Sequence, residues 1–366
     1  MAGPAILRGR IRGCRTPCRR FLHRGGCLVH AFLDEGVGDG ALVSSDGGWF
    51  GQGEWRMRPR FTLGLIVASA VAFAAGPLDA QRVRQGLMSL EDARLFYEVV
   101  GTGAPVVVVH GGPGLDHEYL QPGLDVLAAR NTLIYYDQRG TGRSEAALDS
   151  TAITFDAFVD DIDALRQVLG HEKITVLTHS FGMLLGIEYA RRYPDNLTAL
   201  ILMNPTEPGT RFADQTRTRQ AASRTAEDDA EMQELTSTEA FEAGDPATLS
   251  QVYRVAFRGA FRDPGRVSEL KMDLSARTAK NGQDVARLLG ESLGPVDSWD
   301  RLAEIETPTL VVHGRFDIPP VDMAQALSDA LPRGSLAVLS SGHFPYIEDA
   351  EGLTSAVSAF FAGLGR

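Results

Sequence analysis

Three polar residues stand just beyond apolar runs, in an order that suits nucleophilic chemistry. Ser180 follows "KITVLTH", Asp317 follows "TLVVHGRF" and His343 follows "LAVLSSG". A serine hydroxyl is a weak nucleophile until an imidazole takes its proton. That imidazole in turn needs a carboxylate to fix its tautomer and stabilise its cation. Only His313 and His343 lie beyond Ser180, and only His343 lies beyond Asp317. His313 falls inside a buried-strand pattern and reads as a satisfied structural histidine. His343 sits in the loop "SSGHFPYIED", between Gly342 and Pro345, where a base could reach the serine. An imidazole base must be neutral to act, so activity should fall in acid.

The turn that holds the serine reads Thr178-His179-Ser180-Phe181-Gly182, between an apolar strand pattern and an apolar helix pattern. This is the layout of a nucleophile elbow, G-x-S-x-G, with threonine in place of the first glycine. A β-branched side chain at that tight position asks for local backbone adjustment, while Gly182 and Gly186 keep the following turns small. A second piece of the same chemistry is "HGGPG" (His110 to Gly114), directly after a valine run. Glycines there let backbone N–H groups point into a pocket. The amides of Gly112 and Phe181 would hold the negative charge that develops on an attacked carbonyl. Losing one such donor typically slows chemistry by about 10²–10³-fold.

The elements that must position these residues alternate. "LMSLEDARLFYEVVG" reads as a hairpin broken around Glu91-Asp92-Ala93. "PVVVVHGGPG" and "NTLIYYDQRG" are continuous apolar runs, the mark of strands buried on both faces of a parallel sheet. A helix is expected between them, around Tyr119 to Ala129. In "TFDAFVDDIDALRQVLG" the apolar residues Phe155, Phe158, Ile162, Leu165 and Leu169 keep a helical period, with Thr154 as N-cap and Gly170 just past the end. After the elbow come the strands "LTALILMNP", "TPTLVVHGRFD" and "GSLAVLSSGH", with helices near Val321 to Leu331 and Asp349 to Leu364. Such alternation predicts an α/β chain with a mostly parallel, doubly wound sheet whose ligands sit at the carboxyl ends of the strands. It stops for about 90 residues, too long for a connecting loop. The expected organisation is a core of residues 81–205 and 300–366 carrying a helical cap, or lid, of residues 206–299.

HGGPG, "DQRGTGRS" (Asp137 to Ser144), the serine elbow, "HGRFD" and "GHFPYIED" together resemble the α/β-hydrolase superfamily, and most nearly its proline iminopeptidase (peptidase S33) branch. The chain order Ser…Asp…His is that of the superfamily. The resemblance spans about Leu87 to Leu364. It implies Ser180, Asp317 and His343 as the triad, Gly112 and Phe181 as oxyanion donors, and structural roles for Asp137 and Arg139. The branch elbow usually reads G-G-S-W-G, so this chain departs from it at both the glycine and the tryptophan. The implied activity is that of a serine aminopeptidase releasing N-terminal residues from small peptides through an acyl-enzyme. A carboxylesterase or lactonase on small esters is the alternative, and a catalytically silent binding scaffold the reading of a different class. Proline iminopeptidases hold a free amino terminus with lid carboxylates. The acids of this lid (Glu227, Asp228, Asp229, Glu231, Glu234, Glu239, Glu242) read mostly as a solvated helix face. Serine at the elbow disfavours an aspartate-nucleophile reaction. HGGPG lacks the lysine of a phosphate-binding loop.

Composition agrees with a folded enzyme. The 366 residues are 44% hydrophobic and 23% charged, with a net charge of −11 that argues against a nucleic-acid partner. The expected partner is a small-molecule or short-peptide substrate; no cofactor or metal is implied, and oligomeric state is left open. The front end differs from the body, since residues 1–80 hold 10 Lys+Arg against 6 Asp+Glu, and all three cysteines (Cys14, Cys18, Cys27) lie there. That trio lacks a fourth ligand at finger-like spacing. From Met57, "MRPRFTLGLIVASAVAFAAGPLDAQ" puts arginines ahead of about 15 apolar or small residues and a small residue, Ala80, the order of a secretory signal peptide. Residues 57–80 are thus expected to direct the protein to secretion or the periplasm, with no stable membrane insertion after cleavage. An uncleaved membrane anchor is the rival. Residues 1–56 then read as a mis-assigned or disordered extension.

Overall fold

A computed structural model describes residues 84–295 and 297–365; the extension 1–56 and the signal-like segment 57–80 lie outside them. The strands are β1 (Arg84–Ser89), β2 (Ala93–Val100), β3 (Ala104–Val109), β4 (Asn131–Tyr136), β5 (Glu145–Ala146), β6 (Ile174–His179), β7 (Leu197–Met203), β8 (Thr309–Gly314) and β9 (Gly334–Leu339). They form one sheet in the order β1-β2-β4-β3-β6-β7-β8-β9, with β5 beside β2. Pairing is antiparallel for β1–β2, β2–β4 and β2–β5 and parallel from β4 through β9. The architecture is the expected one.

The continuous apolar strands explain how both faces are covered. Successive residues point to opposite faces, so in β3 Val107 and Val109 join one core cluster and Val106 and Val108 the other. Strands β4 and β7 split the same way, Ile134 and Leu202 to the first cluster, Tyr135 and Ile201 to the second. The first face packs on α1 (Phe155–Val168), α2 (Gly182–Arg192) and α8 (Val321–Ala330), and the second on α10 (Ala350–Gly363). Helix α1 starts where the sequence places it: Thr154 Oγ1 accepts from the Ala157 amide at 3.2 Å, and Gly170 follows its end at φ 74°.

The helix expected around Tyr119 to Ala129 is not an α-helix. That stretch forms two short 3-10 segments, His117–Leu120 and Gly123–Ala129. Pro122, between them, has no amide hydrogen to continue a helical ladder, and Gly123 follows it.

Between β7 and β8 the chain leaves the sheet and forms α3 (Ala213–Ser223), α4 (Ala226–Thr236), α5 (Glu239–Glu242), α6 (Pro246–Arg258) and α7 (Ala276–Leu293). Helices α6 and α7 turn apolar faces inward through Leu249, Val252 and Val255 and through Val285, Leu288 and Leu289. Helix α9 (Pro345–Glu348) completes the order of helices. Among the described residues no helix is long and apolar enough to cross a membrane.

Candidate active site

The carboxyl ends of the parallel strands bring the sequence-predicted residues to one edge. HGGPG leaves β3, Ser180 leaves β6, Asp317 follows β8 and His343 follows β9. Ser180 takes φ 54°, a left-handed conformation rare outside glycine. It is held there because its amide donates to the Met203 carbonyl at 3.1 Å while its own carbonyl starts α2 by accepting from Met183. Such strain lifts a side chain clear of the backbone at the strand-to-helix turn. Thr178, the departure from the glycine pattern, is accommodated from across the turn. A Cβ built on Gly186 would lie 2.5 Å from Thr178 Cγ2, so the missing side chain on the helix leaves the room that threonine takes on the strand.

Asp317 is fully buried and faces the His343 imidazole, whose Nδ1 lies 3.0 Å from each carboxylate oxygen. Two more donors reach that carboxylate: the Ile318 amide at 2.7 Å and Asn204 Nδ2 at 2.7 Å. Burial pushes the Asp317 carboxyl up, but the facing imidazole and these donors outweigh it and hold the carboxyl below its ordinary range. With a carboxylate at Nδ1, the Nδ1–H tautomer is favoured and Nε2 is left free to take a proton. His343 lies beside the elbow, its ring 4.8 Å from that of His179, the residue before Ser180.

The HGGPG loop lies against the serine, since a Cβ built on Gly111 would meet Ser180 Cβ at 2.9 Å. The peptide that carries the Gly112 amide is fixed by His110. Its Nδ1 donates to the Gly111 carbonyl at 2.8 Å, and its Nε2 accepts from the Gln138 amide at 3.1 Å. Carbonyl and N–H point opposite ways across a trans peptide, so this bond turns the Gly112 N–H away from His110. Gly112 itself holds φ 128°, where a side chain would be strained. Burial drops the His110 pKa to about 4, so it works as a neutral imidazole. Among the described residues neither the Gly112 nor the Phe181 amide has a recorded acceptor.

Asp137 and Arg139 are buried braces. Asp137 accepts from His117 Nδ1 at 2.6 Å and from the Arg143 amide at 2.7 Å, and Arg139 forks onto Asp161 at 2.9 and 2.7 Å. His313 is satisfied only in part: its Nε2 meets the Pro319 carbonyl at 3.0 Å, but Nδ1 has no partner among the described residues. The lid acids follow the solvated reading. Asp228 alone of the seven is buried, as the N3 partner of Thr225 in a capping box and an ion-pair partner of Arg258.

Asn204 is the site residue that sequence reasoning missed. It ends β7 at φ 46°, and its amide bridges Asp317 and the Gly342 carbonyl (2.9 Å), joining the acid loop to the base loop. The signal was present as Asn-Pro at a strand end, since asparagine tolerates left-handed backbone. Among the described residues no group of His, Cys, Asp and Glu could hold a metal ion.

A family model described as the alpha/beta hydrolase fold matches residues 104–350. A proline iminopeptidase of Heyndrickxia coagulans is 28% identical over 288 residues, covering 75% of this chain and 98% of the relative. Among solved structures, a proline iminopeptidase of Mycobacterium smegmatis is similar at TM-score 0.58 and 26% identity, over 77% of this chain and 98% of that one. A thermophilic esterase of Thermogutta terrifontis matches equally well, at TM-score 0.57 and 26% identity over 77% and 99%.

Proposed function

This chain belongs to the alpha/beta hydrolase fold family, and from that premise we propose that it is a serine hydrolase working through an acyl-enzyme. His343 takes the Ser180 proton on Nε2 as Oγ bonds to the substrate carbonyl carbon, and the carbonyl π pair moves to oxygen. The Gly112 and Phe181 amides donate to that oxyanion. Its collapse breaks the bond to the leaving group, which takes the proton from His343. Water, deprotonated by the same imidazole, then frees the acid and restores Ser180. The observation that carries this reading is the fully buried carboxylate clamped on His343 Nδ1 beside a serine in left-handed backbone.

For substrate, the proposal is an aminopeptidase of proline iminopeptidase type acting on small peptides. The proline iminopeptidase relative aligned over 98% of its length supports it, as do HGGPG and DQRGTGRS. The equal likeness to an esterase favours a second reading, hydrolysis of small esters. Purified full-length protein and its Ser180→Ala variant, given a proline arylamide and a short-chain aryl ester, separate the two. Amide cleavage lost in the variant supports the peptidase. Cleavage of the ester alone retains the serine mechanism and replaces the substrate class. Equal inertness of both proteins refutes the hydrolase mechanism proposed here.

A further inference from the structure

Two buried side chains that take no part in the proton transfers link the HGGPG loop, the serine turn and the His343 loop. Tyr119 and His179 are both almost fully buried. The Gly111 amide donates to Tyr119 Oη at 2.7 Å, Tyr119 Oη lies 2.8 Å from His179 Nδ1, and His179 Nε2 lies 3.0 Å from the His343 carbonyl. The proton positions follow from the chemistry of the ends. A carbonyl only accepts, so His179 must carry its hydrogen on Nε2. In a neutral ring Nδ1 is then an acceptor, and it receives the hydrogen of Tyr119, whose oxygen accepts from Gly111. Burial, and the nearby His343, lower the His179 pKa to about 3, so the neutral ring persists. All four groups are satisfied in one direction only.

We infer that Tyr119 and His179 form a positioning strut that sets the distance between the oxyanion loop, the nucleophile and the general base. Its three attachment points are the residue before Gly112, the residue before Ser180 and the backbone of His343. The strut rests on the serine-hydrolase reading and goes beyond it, because its hydrogen bonds run to backbone groups and not to the reacting atoms. A neutral His179 matters for a second reason. Its ring stands 4.8 Å from that of His343, where a second cation would oppose the imidazolium that forms during catalysis. Tyr346 packs on the strut without being a link in it: its ring stands edge-on to His179, with centroids 6.1 Å apart. The Tyr346 hydroxyl donates to the Tyr119 carbonyl at 3.0 Å, in the same core but outside the chain of hydrogen bonds.

Deleting the Tyr346 hydroxyl keeps that ring contact and every link of the chain, which supplies the control. Tyr119→Phe and Tyr346→Phe are compared with wild type for labelling of Ser180 by an alkyl fluorophosphonate and for kcat and KM on a short-chain aryl ester, per titrated site. Labelling needs no knowledge of the natural substrate. Tyr119→Phe is expected to lower the labelling rate and kcat by about 10- to 100-fold with KM within about threefold, and Tyr346→Phe to stay within about threefold throughout. Equal losses in the two variants, no loss in Tyr119→Phe, or a loss confined to KM would overturn the inference. Should Tyr119→Phe not fold, a second pair reads the same strut. His179→Gln keeps a donor for the His343 carbonyl and should retain at least fivefold more turnover than His179→Asn, whose shorter side chain loses it; equal turnover counts against the strut. A wild-type protein that labels with nothing refutes the serine-hydrolase reading itself, and the strut with it.

Discussion

The sheet and the helical insertion are built from different physics, and they meet at the site. Strands β3, β4, β6, β7 and β8 are almost wholly buried, and apolar side chains cover both their faces. The outer insertion has nothing comparable: α3 has no buried residue and α4 only Asp228. It is held instead by a capping box and by ion pairs such as Arg258–Asp228 at 2.6 Å and Arg224–Asp229 at 2.7 Å. An exposed pair such as Arg224–Asp229 contributes roughly 0–1 kcal/mol. Yet the insertion is fastened to three loops around the proposed site. The His343 amide donates to the Ala260 carbonyl at 2.7 Å, and Arg219 donates to the carbonyls of Asp317 and Ile318 at 2.6 and 2.9 Å. Thr278 Oγ1 donates to Asp116 beside the oxyanion loop at 2.7 Å. A buried apolar layer thus carries the proposed reacting groups, and a more polar layer is tied to their loops.

If the sheet edge carries the chemistry, substitutions there should dominate. Asp317→Asn removes the charge that fixes the His343 tautomer, and kcat should fall by about 10⁴-fold on whichever substrate wild type cleaves. A fall of less than tenfold would move the chemistry off this edge. Asn204→Gly keeps the left-handed backbone and deletes the amide bridging Asp317 and Gly342. The loss of a bond to a charged group, about 1.5–3 kcal/mol, should appear as a 10- to 100-fold lower kcat. Unchanged turnover would reduce Asn204 to a turn residue.

The two layers should also differ in their response to acid. His110 and His179 titrate in the fold at about 4 and about 3, far under the ordinary 6.5 expected of the unfolded chain. As pH falls below 6.5, the unfolded chain binds protons that the buried rings refuse, so stability drops, by about 1.4 kcal/mol per pH unit for each histidine. Thermal melts of the full chain from pH 7 to pH 5 check this. His179→Gln should lower the slope by one histidine's share, about 1.4 kcal/mol per pH unit, and parallel slopes would show that the ring is not buried neutral. On the insertion side, Arg219→Ala loosens an exposed latch and should lower kcat only about threefold.

The same contrast decides what could be read from the sequence. Strands buried on both faces announce themselves as unbroken valine, leucine and isoleucine runs. Polar residues at their ends then stand out as candidates, as Ser180, Asp317 and His343 do, and the structure places them at one edge. Thr178 looked like a defect because its compensation, Gly186, sits eight residues on, in the helix. The 3-10 turns at 117–129 escaped because an apolar period outlives the proline that breaks the hydrogen-bond ladder. Tyr119 carries no signal, since its partners come from the loop after β3, the end of β6 and α9, and only the fold brings them together. The polar insertion shows helix propensity but not which face turns inward.

The smallest expected effect is the sharpest test of that last point. Glu227, Glu234 and Glu242 are exposed on α4 and α5, and none of them forms an ion pair among the described residues. A side chain in water forfeits little when its charge is removed, and changes at such positions usually stay within about 0.5 kcal/mol. The triple variant Glu227→Gln, Glu234→Gln, Glu242→Gln should therefore match wild type in Tm and in KM for both the proline arylamide and the aryl ester. The two substrates differ in one respect that matters here, the free ammonium of the arylamide. A carboxylate that held it would be missed only with that substrate, by tenfold or more in KM, while the ester would be unaffected. Such a split would bring the outer insertion into the site and end the division between a layer that reacts and a layer that only covers it. Matching KM values would leave recognition of the substrate to α6, α7 and the loops they fasten.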